Sequence, residues 1–146
     1  MTEQDNLQVA TAAIAAINAH DLDGFTQNFD ESYVGESEIL PAPVQGRAGA
    51  RQMLQTLLTA FPDVHCEVEQ QIASGNTVVT RSLMSGTQKG NLAGIAPTNK
   101  KVSWHSCVVI EVKNGKAIRG RVYADHLSLF RQLGVLATPK ATATAG

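Results

Sequence analysis

Two side chains in the C-terminal third have the types and the setting for proton transfer, His105 and Asp125. They lie in the stretch Trp104 to Gly134, WHSCVVIEVKNGKAIRGRVYADHLSLFRQLG. Its first part is apolar enough for a strand buried on both faces. Asn114-Gly115 is a dipeptide that turns a hairpin, and Lys116 to Ala124 runs back as a second strand. The hairpin makes the strand of His105 a neighbour of the strand that ends at Asp125. A carboxylate at the mouth of a curved sheet, with its pKa raised by burial, is a general acid/base. An imidazole beside it donates to a substrate carbonyl or exchanges its proton. Each residue also has a plain structural reading. Asp is a favoured N-cap, and Asp125 directly precedes a helix-patterned run, Leu127, Phe130 and Leu133, that Gly134 stops. A buried His105 flanked by Cys107 and Val109 needs only a satisfied hydrogen bond.

Four further residues are candidates for contact with a ligand. Trp104, the single tryptophan, is a core residue or an aromatic platform. Arg121 shares side-chain parity with Asp125, and either holds that carboxylate ionised, binds an anionic group, or faces solvent or a second subunit. Tyr33 brings a hydroxyl near a strand start, and Met84 an adaptable apolar surface. The four histidines, His20, His65, His105 and His126, are scattered, with no ligand spacing for a metal. There is no phosphate-binding loop, no dinucleotide fingerprint and no nucleophile elbow. A reaction without metal or cofactor is the expectation.

The elements that must position these residues follow from periodicity. Leu7, Ala10, Ile14 and Ile17 form one helical stripe over residues 4 to 19. Asp21 is placed as N-cap of a short helix over 22 to 28, burying Leu22, Phe25 and Phe29. Asp30-Glu31-Ser32 reads as a turn, followed by short strands at Tyr33-Val34 and Glu36 to Leu40. A third helix spans about 47 to 60, and Pro62 ends it. From Asp63 the period becomes two, with Val64, Cys66, Val68, Gln70 and Ile72 on the buried side. Ser74-Gly75-Asn76 turns this strand into the next, Thr77 to about Gln88. A loop covers 89 to 99, and the strand of His105 covers 101 to 112. Three helices, a run of hairpin-linked strands and a last helix predict an α+β fold, with helices on one face of a strongly curved antiparallel sheet enclosing an apolar pocket. One domain over 1 to 137 is expected, with a disordered tail at 138 to 146.

Composition narrows the function class. With 43% apolar and 17% charged residues among 146, the chain can bury a core. A net charge of −1 without a basic cluster argues against nucleic acid. No apolar run reaches membrane-spanning length, and the polar N-terminus lacks the pattern of an export signal. A cytoplasmic protein is expected, with Cys66 and Cys107 as separate thiols.

Four stretches carry a family resemblance: INAHDLDGF at 17 to 25, FPDVHCEVEQQIASGNTVVTR at 61 to 81, SGTQKGNLAGIAPTNKKVSW at 85 to 104, and NGKAIRGRVYADHLSLFRQLG at 114 to 134. Together they resemble the SnoaL-like polyketide (ester) cyclases. The resemblance implies the cone-shaped fold shared with nuclear transport factor two, scytalone dehydratase and ketosteroid isomerase. It also implies a homodimer without metal or cofactor that closes the last ring of an aromatic polyketide ester by intramolecular aldol condensation. In that family an aspartate at the last strand-to-helix junction is the acid/base, and Asp125 matches it. Family members carry an acidic-His-Trp triplet before the aspartate where this chain has Arg119-Gly120-Arg121. The family's pocket histidine lies near the place of Glu111, so His105 is its counterpart by strand parity alone. Related members associated with hydroxylation, a dehydratase or isomerase, and a non-catalytic ligand-binding domain are the alternatives.

Overall fold

A capping box opens the first helix, α1 (Glu3–Ala19): Asp5 N–H donates to the Thr2 hydroxyl, and the Asp5 side chain accepts from Thr2 N–H. The helix ends at His20, whose backbone is left-handed at φ 55°. Its ring sits 2.9 Å from the Val64 carbonyl, which ties the end of α1 to the sheet. These contacts come from a computed structural model that describes residues 2–136. The tail expected at 138 to 146 lies outside the described residues. Asp21 caps α2 (Leu22–Thr26) by accepting from Gly24 N–H at 3.0 Å.

The turn and two short strands expected after Phe29 are one strand, β1 (Phe29–Ser37). The turn signal was real but local. The Asp30 carboxylate accepts both the N–H and the hydroxyl of Ser32, and the ladder shifts register between Phe29 and Val34. A two-residue strand, β2 (Val44–Gln45), precedes α3 (Gly46–Ala60). Four strands follow: β3 (His65–Ser74), β4 (Thr77–Thr87), β5 (Lys101–Lys113) and β6 (Lys116–Ala124). The last helix is α4 (His126–Leu133).

The six strands form one sheet in the order β2-β1-β6-β5-β4-β3. Pairing is antiparallel from β3 to β6, but β1 runs parallel to β6. That parallel pair departs from the antiparallel sheet expected from the hairpin-linked strands, because β1 is not joined to β6 by a hairpin, and it brings β1 beside the strand that leads to Asp125. The helices cover one face. Ala60, Phe61, Val64, Met84, Val102, Trp104, Leu129 and Leu133 form the main core. A second cluster, Phe29, Tyr33, Ala50 and Ala117, lies under α3.

The alternation expected for β3 holds at its start and fails by Val68, which is 40% exposed. Cys66 is buried, but Ile72 is 51% exposed. A bulge at Glu69, where the register shifts between Val68 and Gln70, moves every later side chain to the opposite face. Gln71 then turns inward and donates to the Thr80 hydroxyl at 3.2 Å.

The loop between β4 and β5 is organised by one side chain. Gln88 is fully buried. Its amide nitrogen donates to the carbonyls of Gly90, Ile95 and Ala96. Its oxygen accepts from the N–H and hydroxyl of Thr98. This seats Leu92 and Ile95 against the core.

Candidate functional site

Between helices and sheet lies a cavity of about 260 Å³. Ile14 and Ile17 of α1, Met53 and Leu57 of α3, Leu92 and Leu129 supply apolar walls. The sheet contributes Trp104, Ser106, Val108 and Ile110 from β5, and Thr80, Ser82 and Met84 from β4. Strand parity selects these residues. In β5 the even positions turn inward, so the face of Trp104 is the cavity face and the face of His105 is not.

The predicted residues therefore separate. Trp104, Tyr33 and Met84 line the cavity and are all nearly buried. His105 lies on the outer face of the sheet with its side chain 62% exposed and its Nε2 3.5 Å from Glu69 Oε1. Arg121 is on the outer face as well. Its guanidinium spans Glu36 at 2.6 Å and Glu38 at 2.5 Å and lies over the Tyr123 ring. Neither reaches the cavity, because parity on β5 and β6 is fixed by the apolar residues that must face the helices.

Asp125 is exposed. Its Oδ1 accepts from Ser128 N–H at 3.0 Å, which is the N-cap bond of α4. It does not line the cavity. Its neighbour does. His126, the first residue of α4, enters the wall beside Ala124 and Leu129, its ring stacked on Phe130 at 6.0 Å. Sequence reasoning passed over His126 as one of four scattered histidines. The signal was its place at the strand-to-helix junction, where the first helical turn folds back over the sheet.

Among the described residues, the titratable side chains in the wall are His126, Tyr33 and Cys66. Burial pushes the Tyr33 phenol up to about 12. Burial also raises the Cys66 thiol, partly offset by a hydrogen bond with Ser82. Both keep their protons near neutrality. Burial acts the other way on His126 and lowers its pKa, against the charges of Glu38 and Asp125. At neutral pH the cavity thus presents one neutral imidazole able to take a proton, and weak acids able to donate hydrogen bonds. No group of three or more His, Cys, Asp or Glu side chains among the described residues is arranged to hold a metal. No helix among them is long and apolar enough to cross a membrane.

The fold agrees with what comparison shows. A family model for SnoaL-like polyketide cyclase matches residues 7–133. The chain belongs to the SnoaL-like polyketide cyclase family. Similar folds recur in solved structures. AclR of Streptomyces galilaeus, a proposed hydroxylase, shares 27% identity at a TM-score of 0.83, over 95% of this chain and 91% of its own. A proposed SnoaL-like polyketide cyclase from Jannaschia sp. CCS1 shares 18% at 0.82, over 92% and 94%. IdmH of Streptomyces antibioticus, a proposed polyketide cyclase, shares 22% at 0.76, over 89% and 99%. No curated protein matches the chain.

Proposed function

We propose that this SnoaL-like protein closes a ring of an aromatic polyketide ester by intramolecular aldol condensation, with the acid/base group at the Asp125–His126 junction. The observation that carries this reading is the wall itself, where, among the described residues, a neutral imidazole is the one titratable group ready to accept a proton. His126 removes a proton from a carbon flanked by carbonyls. The enolate carbon attacks a ketone carbon of the same molecule and forms the new carbon–carbon bond. The resulting alkoxide takes the proton back from the imidazolium. An enolate delocalised over fused rings needs little oxyanion stabilisation, which suits a cavity whose walls are largely apolar. Asp125, which matches the family's acid/base, acts here through its charge on His126 and through the cap that fixes the ring. The substrate is a small molecule, and we place the protein in the cytoplasm.

A second reading, hydroxylation of a related aromatic substrate, is favoured by the 27% identity to the proposed hydroxylase AclR. Liquid chromatography coupled to mass spectrometry of a linear polyketide ester incubated with the protein separates the two. Ring closure gives a product of unchanged mass and new retention time, or one lighter by water if the new hydroxyl is eliminated. Hydroxylation gives one heavier by oxygen. An unchanged substrate overturns both.

We also propose a homodimer through the outer face of the sheet. Across the strands, the registers align Ile72, Val79, Val109 and Arg121 in one row. Glu69, Arg81, His105, Glu36 and Arg121 surround the apolar part with charges of both signs, which a two-fold related copy would complement.

A further inference from the structure

Tyr33 brings the one phenol among the described residues of the cavity wall. It is 4% exposed, and no described residue makes a hydrogen bond with its hydroxyl; burial alone accounts for its raised pKa. Its ring is held edge-on to Phe29 at 4.7 Å. Its oxygen lies over two glycines, Gly35 and Gly120, which face each other across β1 and β6. A Cβ on Gly35 would sit 2.8 Å from the Tyr33 oxygen, and one on Gly120 would sit 2.6 Å from it. Neither glycine has a positive φ, so backbone freedom is not why they are there. Glycine inside a strand weakens it, and close approach of another group is a recognised reason for one. Gly120 is also the middle of Arg119-Gly120-Arg121, the run that departs from the family pattern. The space left by its missing side chain is what admits the phenol.

A hydroxyl on so buried a ring, with no partner among the described residues, is left to water or a ligand for its hydrogen bond. Here it is held in place by packing and opens on the cavity. We infer that Tyr33, seated on the Gly35–Gly120 bed, is a specificity-determining hydrogen-bond donor that reads a carbonyl or phenolic oxygen of the cavity's ligand. The proposal rests on the reading that the cavity takes a small aromatic molecule. Gly120 and Ala124 are four residues apart on one strand, about 13 Å at 3.3 Å per residue. Donor and imidazole therefore lie toward different ends of the cavity. A ligand touching both is gripped by an oxygen at one end while proton transfer proceeds at the other.

Trp104 lies in the wall and is the only tryptophan, so its fluorescence reports occupancy. The natural chain, Tyr33→Phe and Gly120→Ala are titrated with the bicyclic ketone α-tetralone and its oxygen-free parent tetralin. The ratio of the two affinities is expected to shift against the ketone by about five- to tenfold in Tyr33→Phe, the worth of one hydrogen bond. Tetralin binding should be unchanged. Gly120→Ala, which drives a methyl into the phenol oxygen, should shift the ratio the same way. A ratio unchanged in Tyr33→Phe overturns the donor role and leaves the small-molecule reading standing. If neither compound quenches Trp104 in the natural chain, both fall.

Discussion

Asp125 and His105 are joined through their backbones: the N–H of Asp125 donates to the carbonyl of His105 at 3.0 Å. The two residues that look most like a catalytic pair are neighbours, and both side chains lie outside the cavity. The bond continues the β5–β6 ladder one step past its last pair. One rung earlier, Ser106 and Ala124 face each other, and both line the cavity. One residue later, the first turn of α4 carries His126 over the cavity wall. The proposed proton-transfer chemistry at this junction depends on where the strand stops and the helix begins.

His126→Gln should lower turnover by about 10²- to 10⁴-fold, the usual range for loss of a general base, while thermal unfolding changes little. Asp125→Asn keeps a good cap and should retain most activity. Steady-state kinetics on the two variants decides between the residues. A loss of 10²-fold or more in Asp125→Asn, with His126→Gln nearly normal, would return the acid/base role to Asp125.

The pH dependence has a definite sign. Burial lowers the His126 pKa below the ordinary 6.5, so the neutral form is favoured by the fold. For a histidine with a lowered folded pKa, stability is fully present above the unfolded pKa and is lost as pH falls through the folded one. The rate constant kcat/KM should be flat at neutral pH and fall on an acid limb whose midpoint lies below 6.5. In His126→Gln that limb should vanish. A pH–rate profile of both proteins checks this; a midpoint above neutrality would mean another group titrates.

Much of this arrangement was legible in residue order. The stripe of Leu7, Ala10, Ile14 and Ile17 gave α1, and Asn114-Gly115 gave the β5–β6 hairpin, because local periodicity and turn chemistry decide such elements. The inward face of β5 was not legible. Trp104 and His105 stand on faces of similar hydrophobicity in a strand that is apolar on both, so alternation could not say which one meets the helices. The bulge at Glu69 was equally hidden, since nothing in VEQQ marks the extra residue. Gln88 gave no signal either. A glutamine in a polar loop reads as solvated, and only the closed loop brings three carbonyls to its amide.

Gln88→Leu should destabilise the protein by about 2–4 kcal/mol, because it strands several loop groups that are poorly placed to find water. Gln88→Glu should do no better at neutral pH, since a carboxylate cannot donate to the carbonyls of Gly90, Ile95 and Ala96. It should recover part of the loss as the solution is acidified and the new carboxyl becomes a donor. Urea unfolding at two pH values reads both effects. A loss below about 0.5 kcal/mol in Gln88→Leu, the size of an ordinary surface change, would mean the loop is held by other contacts.

The proposed dimer gives the remaining prediction. Ile72 is 51% and Tyr123 49% exposed on the outer face, and the Glu69 bulge is what puts Ile72 there. Burying Ile72 against a second copy removes apolar surface from water. Placing a charge there forces an unpaired ion into the contact. Ile72→Asp should therefore raise the dimer dissociation constant by at least about 10²-fold, the equivalent of some 2.8 kcal/mol. The fold should be unaffected, because the side chain touches none of the core clusters. Light scattering behind size-exclusion chromatography, over a range of concentrations, measures the effect. A natural chain that stays monomeric at the highest concentration removes the outer sheet face as an interface.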